Sequence, residues 1–379
     1  MIYLDNAATT PMIQEVKDEI CQAFEIYGNP SSTHAAGRQA KNIVEQARRT
    51  IAQRVKSKPA EITFTSCGTE AANLILKSAV SSLEIKHIIS SKLEHKCVLE
   101  SLKQLEELYD VRISWVEHHS DGSVDLENLE KQLQECESPV LVSIMHANNE
   151  IGMINPVKEI AALAHKYDSL YFADMVQTLG HYDINFEEVP VDFASASAHK
   201  FHGPKGIGFA YVRQPHKLFP QISGGGQERN LRAGTENVPY IAGLAKAFEM
   251  ALVDLEEDQK YVVELKKYAH DKIEENFPEA KFHAYSDDAK KSLFGLLSVS
   301  LPFRNTMLSF ELDLHKIAIS QGSACSSGAV KNSPVLSQIL PDEVLESTTP
   351  LRISFSKLNS KSDVDALVEA LVAICAKHA

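Results

Sequence analysis

Between about residue 60 and residue 215, short apolar runs rich in β-branched residues alternate with longer amphipathic stretches. The runs occupy residues 61–65, 87–90, 111–116, 140–144, 170–173, 192–195 and 208–212. Between them, stretches such as 71–80 and 157–167 read as helices. Strands alternating with helices predict an α/β layer on a mostly parallel sheet. Ligands of such sheets sit beyond the carboxyl ends of the strands, so the polar residues just after each run are the ones to examine.

The pattern then changes. Residues 222–239 (ISGGGQERNLRAGTENVP) are glycine-rich without clear periodicity, which disfavours a regular element there. Residues 241–277, rich in Ala, Leu, Lys and Glu, read as one long helical region ending at Pro278. Beyond it, strands are predicted at 296–301 and 351–355, and a closing helix at 362–377. This last part reads as a smaller domain.

A length of 379 residues favours two domains over one core. With 44% hydrophobic and 23% charged residues the composition is globular, and no apolar run reaches the roughly 18 residues of a membrane span. No basic-then-apolar leader stands at the N-terminus, so no secretory signal is expected. The net charge of −13 repels phosphate backbones, which argues against nucleic-acid partners. The six cysteines are scattered, with no Cys-x-x-Cys pair and no zinc spacing. A reducing, cytoplasmic setting without disulfides or a resident metal is the expectation.

Five places carry candidate chemistry. Lys200 follows Ser-Ala-His at a strand end and precedes Gly-Pro-Lys-Gly. A partly desolvated lysine there has a lowered pKa and a free amine for Schiff-base formation. Asp174 ends an apolar strand, where a carboxylate needs a partner; taken alone the position favours capping the amides of a following helix, with a pyridinium nitrogen as the alternative. Gly68 and Thr69 stand between a strand and a helix, a place suited to phosphate and also to plain capping. His95 opens a helix after a strand, where it can stack on a planar ring, shuttle protons or simply cap. Cys325 lies among Gly, Ser and Ala, unlike the apolar setting of a structural cysteine; an exposed thiol becomes a nucleophile as thiolate.

Read in order, YLDNAATTP (3–11), YGNPSSTHAAGRQA (27–40), FTSCGTEAANL (64–74), EHK (94–96), VSIMHANNEIG (142–152), HKFHGPKGIG (199–208), GGGQERNLRAGTEN (224–237) and GSACSSG (322–328) resemble the NifS/IscS-type cysteine desulfurases, in the class V branch of fold type I pyridoxal-phosphate (PLP) enzymes. The resemblance spans nearly the whole chain. It implies a large PLP-binding domain of residues 16–260 with a mostly parallel sheet. A smaller α+β domain, made of 1–15 and 261–379, would carry the catalytic cysteine.

The same resemblance implies site roles. Lys200 would form the Schiff base and move the Cα proton. Asp174 would pair with the pyridine nitrogen and Gln177 with the ring hydroxyl. His95 would stack on the ring and act as acid and base. Gly68, Thr69, Ser197 and His199 would hold the phosphate, joined by Thr235 from the other subunit of a homodimer. Asn149 and Arg352 would face the substrate carboxylate, and residues 6–8 and Asn29 would shape the entrance. L-cysteine would become L-alanine, with a persulfide on Cys325 passed to an iron–sulfur scaffold or another acceptor. Any iron–sulfur contact at Cys325 would be transient. Four positions depart from the common pattern: Ala198 stands for Gly, ADMVQT (173–178) for VDATQS, and Gln321 for Ser, while no Gly-Arg follows Arg352. On the same fold, the cysteine separates this reading from an aminotransferase, though not from a selenocysteine lyase; the intact Lys200, Asp174, His95 and Cys325 separate it from a scaffold that has lost catalysis.

Overall fold

The computed structural model describes residues 1–137, 139–321 and 333–378. All seven apolar runs become strands of one sheet. Its order is Ile62–Thr65, Gly208–Val212, Phe193–Ser197, Leu170–Asp174, Leu141–Ser143, His87–Ser90 and Arg112–Trp115. Six strands point one way; only Gly208–Val212 runs antiparallel to both neighbours.

The inner runs read as mainly apolar because both faces of the sheet are covered there; the edge strand Arg112–Trp115 is exposed at both ends. Along Leu170–Asp174, Tyr171 and Ala173 enter one core while Phe172 enters the other. Phe209 and Tyr211 alternate in the same way with Ala210 and Val212. Helices Ala35–Arg54, Val157–Lys166 and Val238–Ala251 cover the first face. Helices Gly68–Ser82 and Lys96–Tyr109 cover the second.

The predicted single helix over 241–277 is two. Val238–Ala251 packs in the sheet's core, and Leu255–Asn276 turns its Val262, Leu265, Ala269 and Ile273 into a separate core. Each half buries its stripe against a different partner, so the axis breaks at residues 252–254 although the local propensities favour continuity. That second core also holds strands Leu296–Leu301 and Thr349–Ser354, paired antiparallel, and helix Lys361–His378. The glycine-rich stretch holds a short 3-10 turn, Gln227–Asn230, before helix Val238–Ala251 begins.

Residues 2–10 tie the two cores together. Ile2–Tyr3 pairs with Ile317–Ala318, and Leu4 lies in the second core. Asn6 and Ala7 bond to Ser354, while Thr10 bonds to the His199 carbonyl just past the carboxyl end of strand Phe193–Ser197. Among the described residues no helix is long and apolar enough to cross a membrane.

Candidate active site

A cavity of about 190 Å³ opens beyond the carboxyl ends of the sheet strands. Strand Leu170–Asp174 delivers Asp174 to it, and Phe193–Ser197 delivers Ser197 and then His199 and Lys200. The turn after Ile62–Thr65 brings Gly68 and Thr69. His95 caps the helix that follows His87–Ser90, and Asn149 comes from the loop after Leu141–Ser143. Gln177 completes the set, so nine of the residues singled out above line one space.

The Lys200 amine donates to the carbonyl oxygens of Ala7 at 2.7 Å and Ala8 at 3.0 Å. Its pKa is lowered to about 8, first by burial and then by the charge of Arg352, with Asp174 and Asp5 opposing. A neutral, nucleophilic amine is thereby within reach of neutral pH. Asp174 is buried, and its Oδ1 accepts from Ser195 Oγ and the Val176 amide, each at 3.0 Å.

His95 Nδ1 accepts the Cys97 amide at 3.2 Å, which places the proton of the neutral ring on Nε2. His199 bonds Thr9 Oγ1 at 3.1 Å; burial and the neighbouring lysines lower its pKa to about 4, so it is neutral. His95, Cys97 and Asp174 bring potential metal-ligand atoms within 4.8 Å of one another. Burial, then the charge of Asp174, push the Cys97 thiol far up; it is a neutral wall group, not a thiolate ligand.

The donors fit a phosphorylated pyridine. Ser197 Oγ is buried without a partner. No side chain caps helix Gly68–Ser82, which leaves its first amides to a ligand, and the helix dipole favours an anion there. A Cβ on Gly68 would stand 2.6 Å from Val176 Cγ2, so a side chain there would press on Val176 at the cavity wall. The buried carboxylate of Asp174 suits a protonated ring nitrogen.

Other positions stand apart. Arg352, on Thr349–Ser354, donates to the Asn149 carbonyl at 2.9 Å and to Asp5 Oδ1 at 2.7 Å, and its Nε is buried without a partner. Thr235 lines a different recess, with Glu228 and Arg232. Asn29 is exposed and caps its own turn. Asn6 is buried against Ser354 and Asn359 rather than lying at an entrance; its neighbours Ala7 and Ala8 reach Lys200. Cys325 lies outside the described residues. Gln321 uses its longer side chain to accept the Ser309 amide and donate to the Asn305 carbonyl, which a serine could not span. Pattern reading missed the Ala7 and Ala8 carbonyls, Asp5 and the buried Glu94; main-chain acceptors leave no mark in residue type.

The chain matches the aminotransferase class-V family over residues 2–367. It is 38% identical to the cysteine desulfurase IscS of Dictyoglomus turgidum, covering 99% of this chain and 95% of that protein. A solved NifS-like protein superposes with a TM-score of 0.90 at 37% identity, covering 99% of both chains. The structure of SspA in complex with cysteine superposes at 0.80 with 29% identity, over 94% of this chain and 99% of that one. The chain therefore belongs to the class V aminotransferase family, among its PLP-dependent cysteine desulfurases.

Proposed function

We propose that the protein takes the sulfur from L-cysteine, releases L-alanine and leaves a persulfide on Cys325. The observation that carries this is the Lys200 amine, lowered to about 8, in one cavity with Asp174 and the unpartnered Ser197 hydroxyl. The cysteine complex of SspA supports L-cysteine as substrate.

Bound PLP supplies an electron sink for the pair left at the substrate Cα. Asp174 holds the ring nitrogen, Gln177 the ring hydroxyl, and Gly68, Thr69, Ser197 and His199 the phosphate. Lys200 carries the Cα proton. His95, with its proton on Nε2, serves as acid and base at the open side. Asn149 and Arg352 orient the substrate carboxylate, a task suited to a guanidinium. The Cys325 thiolate attacks the substrate sulfur: the S–S bond forms, the Cβ–S bond breaks, and Cβ takes a proton.

The working form is a cytoplasmic homodimer in which Thr235 reaches the partner's phosphate site. Residues 16–260 act as the cofactor domain, and 1–15 with 261–379 as the smaller one. The persulfide passes to an iron–sulfur scaffold or a thiolation acceptor.

The test is sulfide and alanine release from L-cysteine with a thiol reductant, for wild type and Cys325→Ser. Equal amounts from wild type and near-complete loss in the variant are expected. Undiminished products from the variant would overturn the role of Cys325.

A further inference from the structure

Glu94 is a buried titratable group that the chemistry above leaves unused. It is 3% exposed. Its Oε1 accepts the amide of Met145, and its Oε2 is buried with no partner. The neighbouring charge that acts on it is the like charge of Asp174. Two carboxylates sharing one low-dielectric wall do not both ionise cheaply. Asp174 has two donors on one oxygen and lines the cavity; Glu94 has one amide and no opening. The proton therefore belongs on Glu94, and burial pushes its carboxyl well above the usual range.

Its place in the chain gives that group a use. Glu94 directly precedes His95. The Leu93 carbonyl accepts Asn148 Nδ2 at 2.8 Å, so residues 93 and 94 are both stitched to the segment Met145–Asn148. That segment leads to Asn149, and its His146 amide donates to the Asp174 carbonyl at 2.9 Å. His95, Asn149 and Asp174 thus share one frame, with Glu94 at the joint below the histidine.

We propose that Glu94 is a positioning residue for His95, an uncharged strut that fixes the histidine loop to the Met145 amide. This rests on the reading of His95 as the ring's stacking partner. Glu94→Gln keeps the shape, the acceptor and the neutrality. Glu94→Leu fills the space without the acceptor. His95→Ala is the control.

The experiment uses the holoenzymes and measures kcat and KM for L-cysteine, the visible circular dichroism of the bound cofactor, and far-ultraviolet circular dichroism for folding. Glu94→Gln is expected to keep kcat within about twofold and the cofactor signal unchanged. Glu94→Leu is expected to lose about ten- to a hundredfold in kcat at nearly constant KM, with an altered cofactor signal, as a displaced catalytic group does. If Gln loses as much as Leu, the charge of Glu94 matters and the strut is wrong. If Leu leaves both kcat and the signal intact, no positioning occurs. Should Leu not fold, Glu94→Ala takes its place with the same expected loss and the same refuting result. If His95→Ala changes neither readout, the reading of His95 fails. If His95→Ala changes both and Glu94→Leu neither, only the strut fails.

Discussion

Lys200 should titrate near pH 8 in the protein freed of cofactor. Burial is the main cause and the Arg352 charge the second. At pH 7 a group with a pKa of about 8 is neutral in roughly one molecule in eleven, against about one in three thousand for an ordinary lysine at about 10.5. The cavity thus raises the reactive fraction by about 300-fold, equivalent to about 3 kcal/mol between the two protonation states. A brief pulse of a small acylating reagent, with the Lys200 peptide quantified by mass spectrometry against free lysine, measures this directly. Labelling should climb about tenfold per pH unit up to about pH 8 and then level. Arg352→Gln removes the second cause and leaves the first, so its plateau should begin at higher pH while staying below that of free lysine. A wild-type profile that tracks free lysine up to about pH 10 would refute the argument that this cavity desolvates the amine.

Three further outcomes follow from the geometry. Gly68→Ala should weaken cofactor binding, and Val176→Ala should restore it, because the new Cβ would stand 2.6 Å from Val176 Cγ2; equilibrium titration of the apo-protein reads this. Glu228→Ala should cost about 3 kcal/mol in urea unfolding, since it removes the 2.7 and 2.9 Å bonds of the buried Arg48, leaving it Glu45 and the Ile62 carbonyl, and takes the acceptor from the Phe64 amide; Arg48→Met in the same chain should recover a part. Asp192 has its pKa lowered to about 2: burial opposes this, but hydrogen bonds from His165, His216 and the Tyr171 amide outweigh it. A carboxyl lowered on folding adds stability above its unfolded value of 3.8 that is lost as pH falls toward 2. The gap amounts to about 2 kcal/mol, so acid unfolding of Asp192→Asn should show a flatter profile below about pH 4.

The large sheet was legible because its inner strands lie between two apolar layers and show it as short, mainly apolar runs; the edge strand Arg112–Trp115 is exposed at both ends. That Lys200 and Asp174 share one cavity was legible because they stand just past such runs. The break at 252–254 was not, because it comes from a change of packing partner that no local propensity records. The Arg48–Glu228 pair was invisible for a similar reason. Its members are 180 residues apart, and Glu228 lies in the stretch 228–230 where three successive residues have positive φ without a glycine. Short pairings such as Ile2–Tyr3 with Ile317–Ala318 carry too few residues to mark a strand.

The brace formed by residues 2–10 has a consequence for how the protein is made. The Ala7 amide finds its partner, the Ser354 hydroxyl, 347 residues further along the chain. At 5–20 residues per second the ribosome needs about 20–70 seconds to span that distance. Between Val212 and Ser354, the last 142 of those residues, the large sheet has all its strands, while the segment whose carbonyls hold the Lys200 amine still lacks its tie to Ser354. The brace over Lys200 is thereby completed only near the end of translation, and a polypeptide cut short before Ser354 would carry the lysine without that tie.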